Sequence, residues 1–89
     1  RTILMDPFCI SRSNAGDPRH KKLLELLPRY IAVVSKMARA FKTLHVKSHA
    51  AFERQLRHRN EKSFCPEPVH PYPSGHAVLA HEYLTTIGW

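Results

Sequence analysis

Apolar residues recur at helical spacing along most of this chain, and prolines mark where that spacing stops. From Arg29 onward Ile31, Val34, Ala38, Phe41, Leu44 and Phe52 repeat at intervals near 3.6 residues, which predicts a long helix reaching about Leu56. Ahead of it Leu23, Leu24, Leu26 and Leu27 form the apolar side of a shorter helix starting at about Pro18. Asp17 is its expected N-cap and Pro18 fits the first helical position, while Pro28 is expected to break or kink the chain between the two helices. Residues 1–16, RTILMDPFCISRSNAG, follow neither the helical nor the strand period and read as a lead-in loop. Pro66, Pro68, Pro71 and Pro73 make residues 57–73 an extended, proline-rich loop. The helical signal returns at Ser74, a favoured N-cap, with Val78, Leu79, Tyr83, Leu84 and Ile87 as an apolar face ending near Gly88. The expectation is an all-α fold, a partial helical bundle over residues 1–89 with helices in 17–56 and 74–88, and Phe41, Phe52 and Trp89 in its core.

Charge narrows the class of partner. Fourteen Lys and Arg against seven Asp and Glu give a formal charge of +7, which favours anions. The chain starts at Arg1 and its apolar pattern runs on to TTIGW, so a piece of a longer chain is the working expectation. Cys9 and Cys65 allow either one bridge or two buried thiols, which leaves the redox compartment open. The most apolar window, LLELLPRYIAVVSKM, is interrupted by Glu25, Pro28, Arg29 and Lys36, so no membrane span is expected. These residues show no signal-peptide pattern, which a piece of a longer chain need not keep, and a soluble location, periplasmic or secreted, is compatible with the sequence without being fixed by it.

The chemistry that stands out is PSGHA, residues 73–77. At a helix start the free N–H groups and the positive end of the dipole welcome an oxyanion. Ser74 adds a hydroxyl donor, Gly75 lets an anion approach the backbone, and His76 is placed to exchange a proton with it. Upstream, in KSHAAFER, Lys47 and Arg54 stand seven apart, two helical turns, so both would leave one side of a helix and converge on one ligand. An ordinary loop-to-helix entry and a solvated basic face account for each motif taken alone.

Lys47, six residues, Arg54, a loop and PSGH together resemble the first two signature motifs of the superfamily of type-2 phosphatidic acid phosphatases, bacterial class A acid phosphatases and vanadium-dependent haloperoxidases. The resemblance implies that Lys47, Arg54, Ser74 and Gly75 bind phosphate or vanadate and that His76 is the acid–base group. Gln55 stands where that superfamily usually has proline, and nothing after His76 fits its third motif. The remainder of the parent chain would have to supply that motif, and these residues alone would be inactive. YPSGHA looks more like the haloperoxidase side, which implies a vanadate cofactor with peroxide and halide as substrates. The phosphatase alternative implies a phosphomonoester substrate and no cofactor.

Two other classes compete. The basic stretch HVKSHAAFERQLRHRNEK could lie along nucleic acid, although few aromatics are present to stack on bases. Cys65, His70, His76 and His81 lack the paired spacing of structural zinc sites, so no metal is assigned; His45 and His49 read as a solvated or core-edge pair. Apolar surface left where absent helices would dock predicts self-association into a homo-oligomer.

Overall fold

The computed structural model describes residues 1–11 and 18–88. Its elements are a strand β1 (Ile3–Met5), a helix α1 (Pro18–Phe41), a second strand β2 (Leu44–Val46), a helix α2 (Ser48–Leu56), a 3₁₀ turn at Glu61–Ser63 and a helix α3 (Pro73–Thr86). The all-α expectation is therefore corrected: β1 and β2 pair in parallel, with Ile3 opposite Leu44, Leu4 opposite His45 and Met5 opposite Val46. The Asp6 N–H extends the ladder to the Val46 carbonyl at 3.0 Å. Parallel strands need a long crossover, and α1 supplies it, giving a βαβ unit. Helix α1 packs on both strands, and α3 packs on β2 and on α2.

The expected break at Pro28 and the expected end of the long helix are both corrected, for identifiable reasons. Pro28 lies inside α1 without ending it. Its missing N–H costs one ladder bond, which the packing of α1 on both strands and the burial of Leu27 and Ala38 offset. The long helix expected to run to Leu56 instead stops at Phe41. There Lys42 turns to φ 53°, and Thr43 N–H reaches the Ala38 carbonyl at 3.0 Å while Lys42 N–H reaches Arg39 at 3.4 Å. That is the double closure of a Schellman end, with lysine where glycine is usual. Leu44, expected on a helix, is thereby the first residue of β2.

The core lies between α2, α3 and the loops that flank them. Phe52 is fully buried among Ile10, Leu56, Phe64 and Cys65, with Phe8, Val78 and Leu79 packed around them. Phe8 and Phe64 approach the Phe52 ring at centroid distances of 5.1 and 6.4 Å. Phe41 was expected in this core and is instead 68 % exposed. Cys9 and Cys65 are free, buried thiols. The N-cap expectation at Asp17 and the core expectation at Trp89 lie outside the described residues. Among the described residues no helix is long and apolar enough to cross a membrane.

Candidate active site

The proline-rich loop carries an organised set of polar contacts. Glu67, Pro68, Val69 and His70 form a tight turn, with proline at the second position, where its fixed φ suits a turn. The His70 N–H closes it onto the Glu67 carbonyl at 3.3 Å. Closure brings the two side chains together: the His70 ring nitrogen Nδ1 lies 2.8 Å from Glu67 Oε1. The same carboxylate oxygen accepts the Val69 N–H at 2.9 Å. Partial desolvation pushes the Glu67 carboxyl up, but the Val69 N–H and the His70 ring outweigh it and hold the group below its ordinary range.

The contact favours the tautomer in which Nδ1–H donates to the carboxylate, which leaves Nε2 as the acceptor on a side chain 80 % exposed. A histidine held in this way is equipped to accept a proton from a hydroxyl and then to be stabilised as imidazolium by the carboxylate behind it.

The loop is tied at several points. Phe64 and Cys65 are buried at its start. The Pro68 carbonyl accepts the Ile10 N–H at 2.9 Å, which links the turn to the segment leaving β1. Tyr72 N–H returns to the Phe64 carbonyl at 2.7 Å and closes the neck.

Three of the residues singled out for an oxyanion, Arg54, Ser74 and Gly75, are engaged within the protein. Arg54 donates to Glu82 Oε2 on α3 at 2.7 Å. Ser74 is not the N-cap, a place taken by Tyr72 with Pro73 at the first helical position, and its hydroxyl donates to the Ser63 carbonyl at 2.6 Å. Gly75 is buried, its open side filled by Pro71 and Phe64. Lys47 and His76 are exposed, Lys47 preceding α2 as its cap residue and His76 lying in the first turn of α3. His45 lies on β2, not on a helix with His49, and its Nε2 meets Asp6 Oδ1 at 2.6 Å. Among the described residues no cluster of three or more His, Cys, Asp and Glu is arranged to hold a metal.

Glu67 and His70 were not singled out from the sequence as a pair. The available signal was an acidic residue three positions before a histidine, a pattern that occurs twice, at Asp17–His20 and Glu67–His70. Asp17 lies outside the described residues, and the second pair is the one seen hydrogen-bonded.

Comparison with known proteins points to hydrolases. No protein-family model matches the chain. An acetylxylan esterase of Geobacillus stearothermophilus is 33 % identical over 87 residues, covering 98 % of this chain and 37 % of that protein. The crystal structure of that organism's esterase Axe2 superposes with a TM-score of 0.80 over the same shares of the two chains. LAE5, an alpha/beta hydrolase enzyme from the metagenome of Lake Arreo, is 28 % identical and superposes at 0.66, covering 97 % of this chain and 37 % of that one. The chain thus spans little more than a third of the length of the proteins it matches. Catalytic mutants of Axe2 replace a serine, an aspartate and a histidine, the last two only three positions apart.

These findings overturn the superfamily resemblance. The relatives are acetylxylan esterases and an α/β hydrolase, not phosphatases or haloperoxidases, and the mixed strand and helix architecture agrees with them. The haloperoxidase and phosphatase readings, with their vanadate, peroxide, halide and phosphomonoester, rested on motifs of four and eight residues, and the nucleic-acid reading on one basic stretch; none is carried forward. The expectation of enzyme relatives stands at that coarse level.

Proposed function

We propose that this chain is the histidine-bearing part of a serine esterase of the acetylxylan esterase type, acting on O-acetyl groups of a xylan-derived saccharide. The observation that carries the reading is the His70 Nδ1 contact with Glu67 at 2.8 Å. The three-residue separation of Glu67 and His70 is that of the catalytic aspartate and histidine of Axe2. Matching those two to Asp17 and His20 would carry the 87 aligned residues past the end of the relative. Glutamate in place of aspartate adds one methylene, and the Val69 N–H holds the longer side chain folded back over the turn.

In this reading His70 Nε2 takes the proton of a serine hydroxyl as the oxygen attacks the acetyl carbonyl, and Glu67 stabilises the imidazolium that results. The proton then passes to the sugar oxygen as its bond to the acetyl carbon breaks, which frees the sugar hydroxyl and leaves an acyl-serine. Water, activated by the same nitrogen, releases acetate from the acyl-serine. Such acyl transfer calls for no cofactor.

In Axe2 the catalytic serine is further from the histidine in sequence than this whole chain is long. The serine is therefore assigned to polypeptide outside these 89 residues. The open edge of β1 and the apolar groove beside it, lined by Leu4, Met5, Val33, Met37 and Phe41, are the surface on which further strands of an α/β sheet would pack.

The test is a chimera in which this chain replaces the matching segment of Axe2. Hydrolysis of acetylated xylooligosaccharide that is lost on His70→Ala is the expected result. A folded chimera whose activity is unchanged by His70→Ala, or one that is inactive with the serine in place, would overturn the reading.

A further inference from the structure

Gly75 occupies a helix position where glycine is the less favourable choice. It lies in the first turn of α3 with an ordinary negative φ, and Gly88 is the one glycine with positive φ among those described. The backbone conformation therefore does not require glycine, and glycine is a weaker helix former than alanine. What requires it is proximity. A Cβ built on Gly75 would stand 2.5 Å from Pro71 Cβ and 2.7 Å from the Phe64 carbonyl oxygen. Neither neighbour is the free end of a flexible side chain, so a methyl group there must displace backbone or a proline ring.

Both obstructed groups belong to the neck of the loop that carries His70. Pro71 is the residue after His70, and the Phe64 carbonyl is the oxygen that accepts the Tyr72 N–H at 2.7 Å. One residue away, the exposed Ser74 sends its hydroxyl to the Ser63 carbonyl at 2.6 Å, on the entering side of the same neck. The Tyr72 carbonyl in turn accepts the His76 N–H at 3.0 Å as the first bond of α3. The helix start thus grips residues 63–64 on one side and 71–72 on the other, and the turn holding Glu67 and His70 is the arc between them.

We infer that Ser74 and Gly75 are positioning residues: they clasp the loop neck against α3 and thereby hold the His70 imidazole in register with the Glu67 carboxylate. The motif first assigned to an anion acts on the histidine four residues upstream. This inference rests on the esterase reading only for its catalytic consequence; the clasp itself is a statement about the loop.

The test reads the imidazole directly. Nitrogen-15 correlation spectra of the 89-residue chain, taken at a pH where the ring is neutral, should show His70 as the Nδ1–H tautomer. Glu67→Gln should abolish that preference with the clasp intact. Gly75→Ala should shift His70 towards mixed tautomers and release the Tyr72 amide to faster hydrogen exchange, while the spectrum of α1 stays unchanged. Ser74→Ala, a change at an exposed position that leaves the fold in place, should move both readouts the same way, and Ser74→Thr, which keeps the hydroxyl, should restore them. Native tautomer and exchange in Ser74→Ala together with Gly75→Ala would overturn the clasp; should Gly75→Ala fail to fold, native readouts in Ser74→Ala alone would do so.

In the Axe2 chimera Gly75→Ala should lower kcat by about 100-fold, the scale expected for a displacement of about 1 Å, with KM little changed. A chimera inactive from the outset, with the tautomer shifts present, would refute the esterase reading and leave the clasp standing. An active chimera indifferent to Gly75→Ala would refute the clasp alone.

Discussion

His45 Nε2 and Asp6 Oδ1 stand 2.6 Å apart, joining β2 to the residue that follows β1 across 39 positions of sequence. Asp6 is only 3 % exposed and His45 14 %. The Ser48 hydroxyl donates to the Asp6 carbonyl at 2.6 Å, so a short polar network fixes the carboxyl end of the sheet. Replacing one partner leaves a buried carboxylate or imidazole alone, which costs more than the pair contributes. His45→Phe is expected to destabilise the chain by about 3 kcal/mol, and the double change His45→Phe with Asp6→Thr to recover most of that loss. Urea unfolding of the single and double variants measures both, and a single variant as stable as the parent would contradict it.

Acid should weaken the fold in two separable steps. Burial lowers His49 below its ordinary value of 6.5, although Glu53 and Asp6 oppose the shift. The Cys9 N–H donates to His49 Nδ1 at 3.3 Å, a bond that a protonated ring cannot accept. The unfolded chain therefore binds the proton more readily, and stability present above pH 6.5 is lost as pH falls below it. Glu67, whose folded value lies below 4.5, adds a second loss as pH drops through 4.5 and lower. Melting temperature followed against pH should show the first decline vanish in His49→Gln and persist in Glu67→Gln.

Burial pushes the Cys9 thiol up to about 11, helped by the Cys65 thiol and by the carboxylates of Glu61 and Glu67. Burial raises Cys65 as well. Thiolate is the reactive form, so both residues should resist a disulfide reagent at pH 8 in the folded chain. Two equivalents should react once denaturant is added. Rapid labelling of either thiol under native conditions would show that the loop around Phe64 and Cys65 opens more readily than its packing indicates.

Lys42 holds the left-handed position at the end of α1, where a side chain is strained. Lys42→Gly should stabilise the chain by about 1 kcal/mol, read from the shift of a thermal or denaturant midpoint. Lys42→Val should move it in the other direction, because a branched side chain suits that conformation least.

The course of the chain was legible wherever one element had room to repeat its period. The apolar residues of 74–88 predicted α3 to within a residue at its start, and Val78 and Leu79 do face the core. The strands escaped notice because each is three residues long. Leu44 also sits three positions after Phe41, an interval that continues the helical count, so periodicity alone could not reveal the stop. Only the positive φ of Lys42 marks the boundary, and a lysine announces no such thing. The acid–histidine pair was illegible for another reason. PSGH drew the reading to the helix start, while the acid–histidine pair sat just ahead of it, its partnership created by a proline turn whose closure is a matter of geometry, not composition.

The groove between β1 and α1, about 500 Å³ and lined by Thr2, Leu4, Met5, Val33, Val34, Met37, Phe41 and Thr43, bears on how the chain behaves alone. Val33 is 59 %, Met37 43 % and Phe41 68 % exposed, an apolar surface of the kind that monomers seldom leave open. Among the described residues β1 pairs with β2 on one side and has a free edge on the other, which invites a further strand. The isolated chain is therefore expected to bind a hydrophobic dye while folded and to self-associate with rising concentration. Val33→Lys combined with Met37→Lys should suppress both without lowering its stability, since neither side chain is buried there. In the Axe2 chimera the same pair should abolish folding, because the added strands would have to cover two lysines. Sedimentation of the two proteins with and without these changes separates a surface used by a larger sheet from one that water tolerates; a chimera that folds normally with both lysines would exclude the sheet.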